Sequence, residues 1–252
     1  MPNFNPIYKG NTCYSYKNDN EKKNLKNVLT ETSKGYCMYC YTKILVDGKN
    51  FGQLEHSIEK INSEELINCI SNIAIACPKC NLSFKKKGQE KRNLSNEEIR
   101  IFEEDLECTN SCIEKCSKYD ELRIIYSKKK SAQIILQPFG FKNNNTGNDY
   151  LIQYDLLNQR FIPSNKYPYT KQEKVFIVEH IKRFNLNDFK YRTKEISNFC
   201  EDVIEYRNIP KIQRYFNFIV DLFIEKLHGM SKEESIKICE LIYTQILMKN
   251  KN

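Results

Sequence analysis

Apolar positions are sparse over residues 20 to 34, which read as a polar helix leading up to Cys37. Beyond Cys40, "YTKILVDG" and "FGQLEHSIEK" carry the apolar alternation of two short strands, joined by a turn at Asp47 and Gly48. Residues 62 to 76, "NSEELINCISNIAIA", combine a short helical turn with an irregular approach to Cys77. From Asn81, "NLSFKKKGQEKR" reads as the start of a helix with a basic continuation, and Ser95 with Glu98 is a capping box opening a charged helix through about Cys108. The β-branched and aromatic stretches "SAQIILQPFGF" and "NDYLIQYDLLNQRFIPS" flank the turn-rich run "KNNNTGND", predicting a hairpin near 131–163.

From Thr170 the spacing becomes helical, with capping boxes at Thr170 and Glu173 and at Ser231 and Glu234, predicting three or four helices. The expected fold is α+β, with a first unit over 1–107 and a mostly helical second unit over 108–252. The helical part is expected to bury Phe176, Ile181, Phe184, Phe199, Phe216, Phe218 and Phe223.

Composition narrows the functional classes. The 252 residues are 40% hydrophobic and 29% charged, as in a globular protein, which argues against wholesale disorder. A formal charge of +8 favours a polyanionic partner. No apolar run approaches the roughly 20 residues of a membrane span, and the polar opening stretch lacks a signal-peptide core, so a cytoplasmic protein without membrane contact is expected. Eleven cysteines are poorly explained as disulfides in that reducing compartment. Metal binding explains them better.

Cys37 and Cys40, and Cys77 and Cys80, are two CxxC knuckles, each able to present two thiolates to one ion in tetrahedral geometry. The alternatives are buried small hydrophobes or redox pairs. The 36 residues between the knuckles, 41–76, exceed a zinc-ribbon loop and imply a structured insert. A closed four-sulfur zinc site is structural, because it leaves no open position for water. Cys108, Cys112 and Cys116 recur every four residues, which is either a partly buried helical face or part of a second metal site.

The order "CMYC", "LEH", "NIAIACPKCN" over residues 30 to 92 resembles the zinc-knuckle branch of the HNH endonucleases. The resemblance implies a ββα-metal core with one catalytic divalent ion, Mg²⁺ or Mn²⁺, beside the structural zinc. It gives Glu55, His56, Asn72 and Asn81 the positions of the catalytic set. In that family pattern the acidic residue and the residue opening the final helix serve the ion, and the middle asparagine braces the histidine loop. Glu55 stands where Asp is more frequent, and Asn81 where the third histidine of the name falls. The chemistry is consistent with that assignment: neutral His56 can accept a proton from water near pH 7, and a hard cation prefers the oxygens of Glu55 and Asn81. Since neighbouring strand residues face opposite ways, Glu55 and His56 converge only across a bend or bulge.

Lys85, Lys86, Lys87, Lys91 and Arg92 follow Asn81 directly, and Lys60 follows His56 by four, so all six are expected to hold flanking phosphates. The expected substrate is DNA, with RNA as an alternative; the rival reading is a non-catalytic, zinc-stabilised nucleic-acid-binding or scaffolding protein. The layout beyond residue 100, with Leu186, Asn187 and Arg192 in "FNLNDFKYRTKEI", resembles HNH proteins of bacterial anti-phage defence operons of the Septu and retron-associated type. That resemblance implies a nuclease effector restrained by a partner ATPase.

Overall fold

The computed structural model of the chain describes residues 4–8, 12, 14–104, 116–209 and 215–249, without the side chains of 189–193 and 249. Helix α1 (Asp19–Thr32) begins where the Asn18 side chain accepts the N–H groups of Asn20 and Glu21. It buries Leu25 and Leu29, four residues apart, and stops before Lys34 and Gly35, both in the left-handed region. After the first knuckle the chain reverses at the expected turn, Asp47 (φ 49°) and Gly48 (φ 74°), but the hairpin it closes pairs β1 (Leu45–Val46) with β2 (Lys49–Asn50) and not with the "FGQLEHSIEK" strand.

The second expected strand is separate from that hairpin. β3 (Gln53–His56) pairs antiparallel with β4 (Ile73–Ala76) in the register Gln53↔Ala76, Leu54↔Ile75, Glu55↔Ala74, His56↔Ile73. β4 corrects the irregular approach read from the sequence. Ile73, Ala74, Ile75 and Ala76 are all buried, so the strand has no alternation to announce it. Gly52 makes the close packing beside β3 feasible, since a Cβ there would lie 2.7 Å from the Cδ1 atoms of Ile44 and Ile75.

The link between β3 and β4 contains α2 (Glu65–Asn68) and a 3₁₀ turn over Ile70–Asn72. After β4 the chain makes a single π-helical turn over Cys80–Phe84, and then leaves helical geometry at Gly88 (φ 75°) before a 3₁₀ turn at Gln89–Lys91. The basic continuation is therefore not a helix. Helices α3 (Asn96–Glu103) and α4 (Ser117–Ser127) follow. Cys108 and Cys112 lie outside the described residues, and Cys116 is half-buried at the N-cap of α4.

The later hairpin is β5 (Ile152–Asp155) with β6 (Arg160–Pro163), turning over 156–159 and not over "KNNNTGND". Asp155 fixes that turn by accepting the Asn158 backbone N–H at 3.0 Å, and Gln159 takes a φ of 46°. The "KNNNTGND" run closes only one bridge, Lys142↔Asp149. Four helices complete the described chain: α5 (Lys171–Arg183), α6 (Phe189–Tyr206), α7 (Phe218–Leu227) and α8 (Lys232–Lys249). All three capping boxes form.

Residues on both sides of position 107 share one core. Tyr39, within the first knuckle, stacks on Phe184 at 4.8 Å, and Tyr36 meets Phe218 at 5.0 Å. The backbone joins in, with the Lys43 N–H bonded to the Phe216 carbonyl at 2.7 Å and the Phe218 N–H to the Tyr41 carbonyl at 3.1 Å. Of the expected buried helical residues, Phe216 differs: it is 46% exposed. The result is an α+β protein built around a cluster of four cysteines. Among the described residues no helix is long and apolar enough to cross a membrane.

Candidate functional site

Each knuckle is shaped by its own backbone. In the first, the Cys37 N–H bonds the Thr42 carbonyl, and the Tyr41 N–H returns to the Cys37 carbonyl with Tyr41 at φ 63°. In the second, the π-helical turn begins at once, with the Asn81 N–H bonded to the Cys77 carbonyl at 3.1 Å. The pairing of β3 with β4 and the bond from the Met38 N–H to the Ile75 carbonyl bring the two turns together.

The four Sγ atoms of Cys37, Cys40, Cys77 and Cys80 consequently lie within 4.8 Å of one another. Cys40 Sγ and Cys77 Sγ are 3.7 Å apart, against the edge of about 3.8 Å that tetrahedral Zn–S bonds of about 2.3 Å require. Burial pushes the Cys37 and Cys80 thiols well above the ordinary range, an arrangement that a cation among the sulfurs would relieve. This donor set can hold a metal ion such as zinc. A cavity of about 410 Å³ reaches Cys40, Cys77 and Cys80 from one side, walled by Phe84, Phe184 and Phe216.

Glu55, His56, Asn81, Lys60, Lys85 and Lys86 line a different, open cleft of about 390 Å³. The β3–β4 pairing shows no bulge at Glu55 and His56; the two side chains reach one cleft because His56 is the last residue of the strand. His56 is half-buried, and its Nε2 lies 3.1 Å from the carbonyl oxygen of Ile67 in α2. A carbonyl can only accept, so Nε2 carries the proton and Nδ1 keeps the lone pair. Burial holds the pKa of His56 below its ordinary value despite that bond and the nearby Glu55, so the ring is neutral at pH 7.

Asn72 is fully buried and faces away from solvent. Its Oδ1 accepts the Ile58 N–H at 2.7 Å, and its Nδ2 donates to the carbonyls of Ile58 and Leu66 at 2.9 and 3.1 Å. It thus ties the segment after His56 to the helix that holds the imidazole. Asn81 Nδ2 donates to Gln53 Oε1 at 3.0 Å, which leaves its amide oxygen as the atom available to a cation.

Glu55 is only 2% exposed, and its carboxylate is already engaged. Oε1 pairs with Lys85 Nζ at 2.6 Å, and Oε2 accepts the Tyr39 hydroxyl at 2.6 Å. Burial, reinforced by Glu55, raises the Tyr39 pKa, so that phenol remains a proton donor. Lys85 Nζ also donates to the His56 carbonyl at 2.6 Å and reaches Glu59 at 3.4 Å. In donor type Glu55 and Asn81 suit a hard divalent ion, but the carboxylate becomes a ligand only when the ammonium of Lys85 withdraws.

The structure corrects the basic cluster. Lys85 and Arg92 are 4% and 0% exposed, and cannot meet a polyanion from the surface. Arg92 pairs with Glu59 at 2.7 Å and donates to backbone carbonyls of Lys85 and Lys87. Burial by itself would raise the pKa of Glu59, but Lys85 and Arg92 outweigh it and keep the carboxyl low; Tyr126 donates to its other oxygen at 2.8 Å. Lys60, Lys86, Lys87 and Lys91 remain exposed, and of these Lys60 and Lys86 line the cleft. Glu59 and Tyr39 were missed by sequence reasoning. The signal for Glu59 was the second acid four residues after Glu55; for Tyr39, placed inside the knuckle, there was none.

Compared with protein-family models, curated proteins and solved structures, the chain matches none.

Proposed function

We propose that the chain is a metal-dependent endonuclease of the HNH type that hydrolyses phosphodiester bonds of DNA, on a scaffold held by structural zinc at Cys37, Cys40, Cys77 and Cys80. One observation carries the reading: a neutral histidine with its proton fixed on Nε2 shares an open cleft with a carboxylate, an amide and two exposed lysines. His56 Nδ1 takes the proton of the attacking water, and Lys60 and Lys86 hold the negatively charged backbone on either side. A bound Mg²⁺ or Mn²⁺, taken up by Glu55 and Asn81, would supply charge neutralisation at the phosphate and the leaving oxygen. Asn72 acts on the reaction only by bracing the loop.

The test is incubation of supercoiled plasmid with Mg²⁺ or Mn²⁺. Wild type is expected to nick or linearise it, and His56→Ala to lose at least about 100-fold, the usual contribution of a general base. Undiminished cleavage by a clean His56→Ala preparation removes His56 from the chemistry.

The Lys85 pairing favours a second reading, a zinc-stabilised nucleic-acid-binding protein without turnover, because it neutralises the carboxylate that the ion needs. Binding of DNA without cleavage under either ion selects that reading. The role as effector of an anti-phage system with a partner ATPase follows only from the resemblance, and pull-down of an ATPase with the tagged chain tests it.

A further inference from the structure

Two residues that line the cleft, His56 and Lys60, contact a group that proton transfer does not use. Tyr16 is 40% exposed, whereas Tyr8, Tyr14, Tyr36 and Tyr39 are buried. Its ring centroid lies 5.8 Å from that of His56, with the planes inclined at 60°. Lys60 Nζ stands 4.4 Å from the ring centroid and 2.9 Å from the hydroxyl oxygen, and Lys22 Nζ stands 5.4 Å from the centroid.

This arrangement is set by the same element that sets the imidazole. The Tyr16 N–H bonds Asn68 Oδ1 at 2.9 Å, while the preceding residue, Ile67, holds His56 Nε2. Helix α2 therefore fixes the aromatic face and the base in one register.

An exposed aromatic ring with ammonium groups beside it is the composition of a single-strand groove, where a base stacks and cations follow the backbone. A duplex presents its phosphates but keeps its bases stacked on each other, so it could meet Lys60 without using Tyr16. We propose that Tyr16 and Lys60 form a stacking subsite for an unpaired base beside the phosphate at His56, making single-stranded DNA the preferred substrate over duplex. The proposal rests on the nuclease reading above and names the substrate class of that site.

The experiment measures binding of the full chain, without added divalent ion, to a 2-aminopurine-labelled single strand and to the duplex of the same sequence. Wild type is expected to bind the single strand more tightly and to quench the 2-aminopurine. Tyr16→Ala should weaken single-strand binding about tenfold, the size of one base–aromatic stack, and abolish the quench while leaving duplex binding unchanged. Tyr16→Phe, which keeps the ring and loses the hydroxyl, should retain both. Equal single-strand affinity and quench in wild type and Tyr16→Ala overturn the subsite and leave the nuclease reading standing. Loss of single-strand and duplex binding together in Tyr16→Ala also overturns it, since a merely structural role has that signature. Absence of DNA binding by wild type overturns both.

Discussion

At the scale of single residues, the cleft combines one neutral base with a balanced set of buried charges. Because burial lowers the pKa of His56, the ring takes up its second proton only in acid, and on the proposed reading it loses its function as a base only there. The logarithm of kcat/KM for plasmid cleavage should rise with pH through a value under 6.5 and be level from about pH 7. An acid limb centred above 6.5 contradicts the neutral imidazole. The carboxylates of Glu55 and Glu59 are offset by Lys85 and Arg92, all four of them buried. Lys85→Met removes one cation and leaves Glu55 with Tyr39 alone, which should cost about 3–5 kcal/mol as an uncompensated buried charge. Chemical denaturation measures that loss; a variant within about 1 kcal/mol of wild type would mean that Lys85 can leave Glu55 cheaply. That result would also ease the entry of a divalent ion, so stability and metal affinity of this one variant are coupled.

At the scale of elements, the loop between β3 and β4 places the imidazole, and Asn72 is its brace. Asn72→Ala leaves the Ile58 N–H and the Ile58 and Leu66 carbonyls without their partner, at a cost of about 3 kcal/mol, and should lower kcat while KM stays near wild type. Retained kcat with reduced stability would confine Asn72 to folding. The cysteine cluster makes a parallel case: metal analysis should find one zinc per chain, and Cys77→Ser should lose both the zinc and the cooperative unfolding transition. The knuckles, the capping boxes and the Asp47 and Gly48 turn were legible in the sequence because each is encoded by residues within a few positions of one another. β4 was not, since a strand buried on both faces has no polar alternation, and neither was the burial of Arg92, a residue that composition places on a surface. Its burial follows from Glu59, 33 positions earlier, which awaits it in the core. The hairpin was displaced for a related reason: the Asn-rich run has the stronger turn composition, but Asp155 gives the "LLNQ" turn its local hydrogen bond.

At the scale of the whole molecule, α5 is the joint between the cysteine-bearing part and the later helices. His180 lies on its inner face, fully packed against Phe184 and Tyr39, and its Nδ1 accepts the Ile135 backbone N–H at 2.9 Å. Accepting at Nδ1 requires the neutral ring, and burial takes its pKa down to about 3. The unfolded chain binds a proton at this residue below about pH 6.5, whereas the folded chain does not until about pH 3. Between those limits the unfolded state holds more protons, so stability rises with pH and is lost progressively as pH falls from 6.5. The loss from this residue alone is on the order of several kcal/mol by pH 3. A metal ion held by the four cysteines would also be released by acid, so the wild-type curve by itself does not isolate His180. A comparison with His180→Gln does: the variant should be less stable at pH 7 for want of the packed ring, yet the difference should shrink steadily as pH drops, since glutamine takes up no proton. Urea midpoints at half-unit pH steps give that difference directly. A gap between the two proteins that stays constant from pH 7 to pH 4 would mean that His180 is not held neutral, and that α5 docks through its phenyl rings alone.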